Sequence, residues 1–249
     1  MTRVYVAGEA LIDLVNVGGS ISAHVGGGPA NTAKALARLG VASYFVGGIS
    51  SDQYGALIEA ELLESGVDLS LVLRGDKPTA LANAVIEENG VASYSFELAG
   101  TTTFDFSSNW LPVGADVVHV GSLATLVEPG SKPLFEWVSG LGVPVVFDPN
   151  VRPSILSDRD LYRAAVDKWI SISSVVKLSE DDLNWLYEDE SVIQGWLDSG
   201  VSLVVVTLGA AGLRAQCDYC HHHPQGQCHC LQRQQELIVS CHEVYDCSL

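Results

Sequence analysis

The chain has 249 residues, 47% of them hydrophobic, enough to bury a substantial core in one large α/β domain or in a domain with a small appendage. It carries 13 Lys and Arg against 30 Asp and Glu, a formal net charge of −17, and a surface that acidic repels nucleic-acid backbones and anionic membranes. No apolar run of about eighteen residues spans a bilayer, and the N-terminal "MTRVYVAGEALIDLV" lacks the long apolar stretch and cleavage site of a secretory signal, so a cytoplasmic protein with no membrane partner is expected.

In chain order, "RVYVAG" (3–8) reads as a buried strand ending in glycine. "PANTAKALARLG" (29–40) reads as a helix, with Pro29 in its first turn, Ala30, Ala33, Leu36 and Ala37 on its apolar face and Gly40 ending it. A strand over 42–48 and a helix over 51–66 follow, the helix capped by Ser51 or Asp52 and stopped at Gly66. Residues 80–98 differ: two period-2 runs flank Glu-Asn-Gly, a hairpin signal. Strands are expected at 116–121, 143–150, 174–179 and 202–209, and helices at 131–140 and 158–170, with one or two more across 180–199. Val-rich strands alternating with helices imply a mostly parallel sheet covered on both faces. The hairpin at 80–98, too polar on one side for a central place, is expected to join residues 14–24 in a small lid sheet.

Composition changes near residue 216. All six cysteines fall in 217–247, with five of the seven histidines, and residues 216–249 hold no alanine and one of the 24 glycines. Residues 1–215 therefore read as one α/β domain and 216–249 as a separate Cys/His/Gln-rich tail.

In open α/β sheets ligands bind beyond the carboxyl ends of the strands. Five clusters stand there: "GEALID" (8–13), "GGGPAN" (26–31), "GGISSD" (47–52), "DPNVR" (148–152) and "TLGAAG" (207–212). Three glycines before a helix either let backbone amides approach an oxygen-rich ligand or make a tight turn. The pattern is neither GxGxxG nor GxxxxGK[ST], which speaks against a Rossmann site or a Walker-type NTPase. Asp13 suits two sugar hydroxyls or a turn cap. Arg152 suits a phosphate or a surface ion pair, and Lys177 a nucleotide pocket or a strand-end charge.

In this order, "GEALIDLV", "GGGPANTAKALARLG", "FVGGISSDQYG", "VVFDPNVRPSI", "KLSEDD" and "VVVTLGAAG" resemble the PfkB (ribokinase-like) carbohydrate kinases, nearest the fructokinase branch, over about residues 3–215. The resemblance implies an ATP-dependent sugar kinase that uses Mg²⁺, built as an α/β three-layer sandwich with a small β lid. By matching position, Asp13, Gly26, Gly27 and Asn31 would hold sugar hydroxyls, and the 80–98 hairpin would close over the sugar with Tyr94 or Phe96 stacked on it. Arg152 would lie near the transferred phosphate. Lys177, Ser179, Thr207, Gly209 and Gly212 would line the nucleotide. Asp182 falls where the family usually has a glutamate that organises Mg²⁺ and phosphate. Lids of this family also suggest a homodimer.

The resemblance further implies a second signature, Asp-Thr-x-Gly-Ala-Gly-Asp, whose aspartate is the base and whose amides cradle the moving charge. These 249 residues contain no such motif; "VGAD" (113–116) comes nearest but precedes a strand. Where it is expected stands "CDYCHHHPQGQCHC" (217–230). The spacing C-x2-C-x7-C-x-C matches no familiar zinc finger. The tail is expected to be aberrant, as a change of reading frame would produce, with the C-terminal part of the fold missing; adventitious metal binding and a genuine metal module are the rivals. The expected function is fructokinase-like phosphorylation, impaired in this chain. The alternatives are another sugar or nucleoside kinase of the same fold, or a non-catalytic sugar-binding protein.

Overall fold

The computed structural model describes residues 2–86 and 92–217. The expected hairpin turn at Glu88-Asn89-Gly90 and nearly all of the Cys/His-rich stretch lie outside them. The described chain runs β1 (Arg3–Ala7), β2 (Leu11–Val17), β3 (Ser20–Gly26), α1 (Gly28–Arg38), β4 (Ala42–Val46), β5 (Gly48–Ser50), α2 (Gln53–Glu64), β6 (Leu73–Gly75), β7 (Leu81–Ile86) and β8 (Ala92–Glu97). It continues with β9 (Val117–Gly121), α3 (Ser131–Gly140), β10 (Val145–Asp148), α4 (Arg159–Ile170), β11 (Val175–Ser179), α5 (Glu180–Leu186), α6 (Val192–Asp198), β12 (Leu203–Thr207) and β13 (Leu213–Cys217).

Seven strands form the main sheet in the order β13-β12-β11-β10-β9-β1-β4, parallel except for β13, which runs antiparallel to β12. Successive side chains of a strand point to opposite faces, and β1 shows the result. Val6 packs with Ala30 and Ala33 of α1 and Ile58 and Leu62 of α2. Tyr5 and Ala7 face a second core with Leu134 of α3, Trp169 of α4 and Leu183 of α5. Two helical layers thus enclose the sheet, the expected three-layer α/β sandwich. No helix among the described residues is long and apolar enough to cross a membrane.

A second sheet of four strands, β3-β2-β7-β8, leaves the main one where β1 passes into β2. Its two antiparallel hairpins are joined by the parallel pair β2–β7. It contains the expected lid strands and begins earlier, at Leu11.

Two strands differ from expectation. The one expected over 42–48 breaks at Gly47, where a Cβ would overlap the Gly8 carbonyl oxygen. Beyond it, β5 turns away to pair with β6. β13 was not expected at all. The helix boundaries follow local chemistry. Asp52 caps α2 by accepting from the Gly55 amide at 2.8 Å, and also accepts from the Thr79 amide at 2.8 Å and the Thr79 hydroxyl at 2.7 Å. These bonds hold its carboxyl below its ordinary pKa against partial desolvation. Gly66 follows α2 at φ 85°.

Candidate active site

The carboxyl ends of the parallel strands and the first turn of α1 meet beside the lid. Asp13 lies in mid-β2, opposite His24 of β3. Its half-buried carboxylate rests over Gly26, where a Cβ would overlap Oδ2 and stand 2.9 Å from Cγ. Glycine at 26 is therefore what leaves room for the Asp13 carboxylate. Burial raises the Asp13 pKa, opposed by the charges of His24 and Arg152. Arg152 is thus within electrostatic reach of Asp13, although it comes from the loop after β10. Its guanidinium donates to the Val151 carbonyl at 2.9 Å, and its amide to the Tyr162 hydroxyl at 3.0 Å.

Gly27 precedes α1 at φ 106°, and a Cβ there would come 2.6 Å from the Glu9 carbonyl oxygen. Asn31 is exposed in the first turn of α1, its amide bonded to the Gly27 carbonyl at 3.0 Å. Phe96 of β8 is half-buried against the larger core. The backbone of Tyr94 lies in β8, while its side chain is outside what is described.

The other predicted residues lie further along the sheet. Lys177 of β11 bonds Asp148 of β10 at 2.9 Å. Ser179 and Asp182 form a capping box at the start of α5: the Asp182 amide donates to Ser179 Oγ at 3.0 Å, and the Ser179 amide to Asp182 Oδ2 at 3.2 Å. The second Asp182 oxygen accepts the Val151 amide at 3.0 Å and so ties α5 to the Arg152 loop. Both residues thus hold the frame, whatever else they contact. Thr207 ends β12. Gly209 (φ 55°) and Gly212 (φ 92°) make the turn into β13, closed by the Leu208 amide on the Gly212 carbonyl at 2.8 Å. A Cβ on either glycine would meet nothing within 4 Å, so backbone conformation and not crowding demands glycine there.

A small cleft between these two groups is lined by Gly28, Thr32, His119, Ser122, Asp148 and Asn150 among others. Sequence reasoning placed Glu9, Gly28, Asp148 and Asn150 in its strand-end clusters without an individual side-chain role, and did not single out Thr32, His119 or Ser122. His119 of β9 is buried, and burial pushes it down to about 4 against the charge of Asp148. Glu9, just after β1, is buried too, and desolvation pushes it up to about 7. The Ala124 amide donates to Glu9 Oε2 at 3.0 Å, and the Ser122 hydroxyl and Gly28 amide also favour the charged form. Oε1 itself completes no well-formed bond within the protein. Among the described residues no three His, Cys, Asp or Glu side chains cluster as a metal cage.

This architecture, a mostly parallel sheet between helical layers with a β lid over its strand ends, is that of the ribokinase-like sandwiches. The chain matches the pfkB family carbohydrate kinases over residues 1–235, and it belongs to that family of sugar phosphotransferases. It is 31% identical over 219 residues to the fructokinase of Rhizobium leguminosarum bv. trifolii, a match covering 82% of this chain and 67% of that protein. Among solved structures, the fructokinase of Xylella fastidiosa with bound ATP aligns at TM-score 0.79 and 28% identity, over 87% of this chain and 71% of the other. The fructokinase of Vibrio cholerae O395 with bound fructose, ADP and calcium ion aligns at 0.75 and 28%, over 87% and 74%.

Proposed function

We propose that the chain binds fructose in the cytoplasm and presents one sugar hydroxyl for phosphorylation by ATP. The placement of Asp13 carries this reading. Its carboxylate is half-buried, kept clear by Gly26 and set in the field of Arg152. Such a carboxylate accepts two sugar hydroxyls, with Gly26, Gly27 and Asn31 alongside, while the guanidinium meets an anionic phosphoryl group. The lid carries Phe96 against the sugar and pairs two copies of the chain in a homodimer. ATP lies across Lys177, Ser179, Thr207, Gly209 and Gly212. Mg²⁺ takes few protein ligands and keeps several waters, and here it comes carried by the nucleotide phosphates. Asp182 and Asp148 are the carboxylates at those strand ends.

The 249 residues contain no Gly-Ala-Gly-Asp sequence. A positioned base and preorganised anion donors each contribute roughly 10²–10⁴-fold in rate. We therefore propose that a polypeptide of these residues holds sugar with little turnover. ADP release with ATP, Mg²⁺ and fructose, measured beside calorimetric binding, tests both parts. Fructose binding with negligible ADP release is expected. Robust ADP release refutes the impairment. Binding of another sugar or a nucleoside in place of fructose moves the substrate assignment within the same fold.

A further inference from the structure

Two residues other than glycine have a positive φ among the described ones: Ser122 at 57° and Asn150 at 40°. Ser122 leaves β9 and Asn150 leaves β10, yet Asn150 Nδ2 bonds Ser122 Oγ at 3.2 Å. Side chains hold such backbone angles where their surroundings over-determine them, and these positions gather at functional sites. A third segment meets them. A Cβ on Gly28, in the first turn of α1, would stand 3.1 Å from Asn150 Nδ2 and 3.2 Å from Ser122 Cβ. Beneath this junction lies Glu9. A carboxylate is costly to bury, and an uncharged residue of similar shape would serve packing better.

We infer that Glu9 is a positioning residue, which through the turn at 122–125 fixes Asn150 and the 148–152 loop against the glycine turn at 26–28. The Ala124 amide donates to Glu9 Oε2 at 3.0 Å and so ties Glu9 to the Ser122–Thr125 turn, and the Ser122 hydroxyl of that turn accepts from Asn150 Nδ2 at 3.2 Å. From Asn150 the network continues through the Asp148 carboxylate, which accepts the Asn150 amide at 3.2 Å and Lys177 at 2.9 Å. Arg152 stands two residues beyond Asn150, so the network sets how far Arg152 lies from Asp13. A glutamine at position 9 keeps a carbonyl acceptor but carries no charge, so the bond from the Ala124 amide loses its charge-assisted strength and the chain of bonds is weakened at its origin.

The role in sugar binding rests on the proposed function, so two readouts keep the inferences apart. Amide exchange in the unliganded protein reports local opening. In Glu9→Gln, exchange over 122–124 and over 148–152 should accelerate by about tenfold, the loss of roughly one charged hydrogen bond, with the α6 amides unchanged. Ser122→Ala, which keeps Glu9, should release 148–152 to a similar degree, and the double variant no further. Acceleration confined to 122–124, or additive effects in the double variant, overturns the inference.

The second readout is fructose affinity from pH 5.5 to 8.5. Part of the wild-type affinity should fade as pH drops through about 7 and Glu9 takes a proton, and that part should be missing in Glu9→Gln. Three neighbours also carry or acquire charge. Burial pushes Tyr162 of α4, which also feels the Glu9 charge, up to about 12 and His119 of β9 down to about 4, so neither changes charge in this range. Asp148 of β10 is common to both proteins. Identical profiles overturn the role in binding. If wild type binds no fructose, the functional proposal fails, and the exchange data still decide the role of Glu9.

Discussion

Glu9 and His119 make opposite demands on stability, and their cancellation can be tested. Desolvation raises Glu9 from 4.5 to about 7 and lowers His119 from 6.5 to about 4. For Glu9 the folded state holds a proton that the unfolded chain has lost. Its contribution is therefore full below 4.5 and disappears as pH rises through 7. For His119 the unfolded chain binds the proton first, so its contribution is full above 6.5 and disappears as pH falls through 4. Each shift corresponds to about 3 kcal/mol at 1.36 kcal/mol per pH unit. Between pH 4.5 and 6.5 the two slopes oppose and nearly cancel. Urea unfolding at half-unit steps through this window should show a shallow profile for wild type. Glu9→Gln should unmask the histidine, with stability rising by roughly 1.4 kcal/mol per pH unit, and His119→Gln should show the reverse slope. Wild-type and Glu9→Gln profiles of equal slope would refute the assignment of Glu9 as a buried, protonated carboxyl in acid.

Other substitutions test single contacts. Gly26→Ala places a methyl group against the Asp13 carboxylate; a shift on the order of 1 Å at a binding group should weaken fructose about 10- to 100-fold by calorimetry with the fold intact. Asp182→Ala removes both the capping box and the bond to the Val151 amide, and should cost about 1–2 kcal/mol in urea unfolding. Gly195 is exposed inside α6 with nothing within 4 Å of a Cβ, so Gly195→Ala should stabilise by about 0.5–1 kcal/mol in thermal melts.

The layers were legible wherever local chemistry sets structure. Helix α3 spans 131–140 as expected, Asp52 caps α2, and the Val-rich strands take their places because both faces of the sheet are covered. What escaped depends on contacts between distant segments. The break at Gly47 answers to the Gly8 carbonyl, which no window around residue 47 reveals. Strand β13 was hidden because "LRAQC" lacks the apolar run of its neighbours and adds to the sheet only by pairing with β12. Within the site, Asp13, Gly26 and Arg152 were each named from sequence, but that Gly26 makes room for Asp13 follows from the β2–β3 register. Ser122 and Asn150 could not be paired without the β9–β10 register, which sets Asp148 beside Gly121. Glu9 falls in the "GEALID" cluster at a strand end, but nothing in the sequence singles it out as buried, since glutamate is rarely buried unpaired. Its burial shows only once the glycine turn at 26–28 lies over it.

The claim that Asp13 anchors a sugar is tested most directly by calorimetric titration of fructose into wild type and Asp13→Ala. Wild type should give a saturable isotherm, and the variant a loss of affinity of at least about tenfold at unchanged thermal stability, as removal of a charged acceptor from two hydroxyls requires. Equal isotherms for the two proteins would contradict the account.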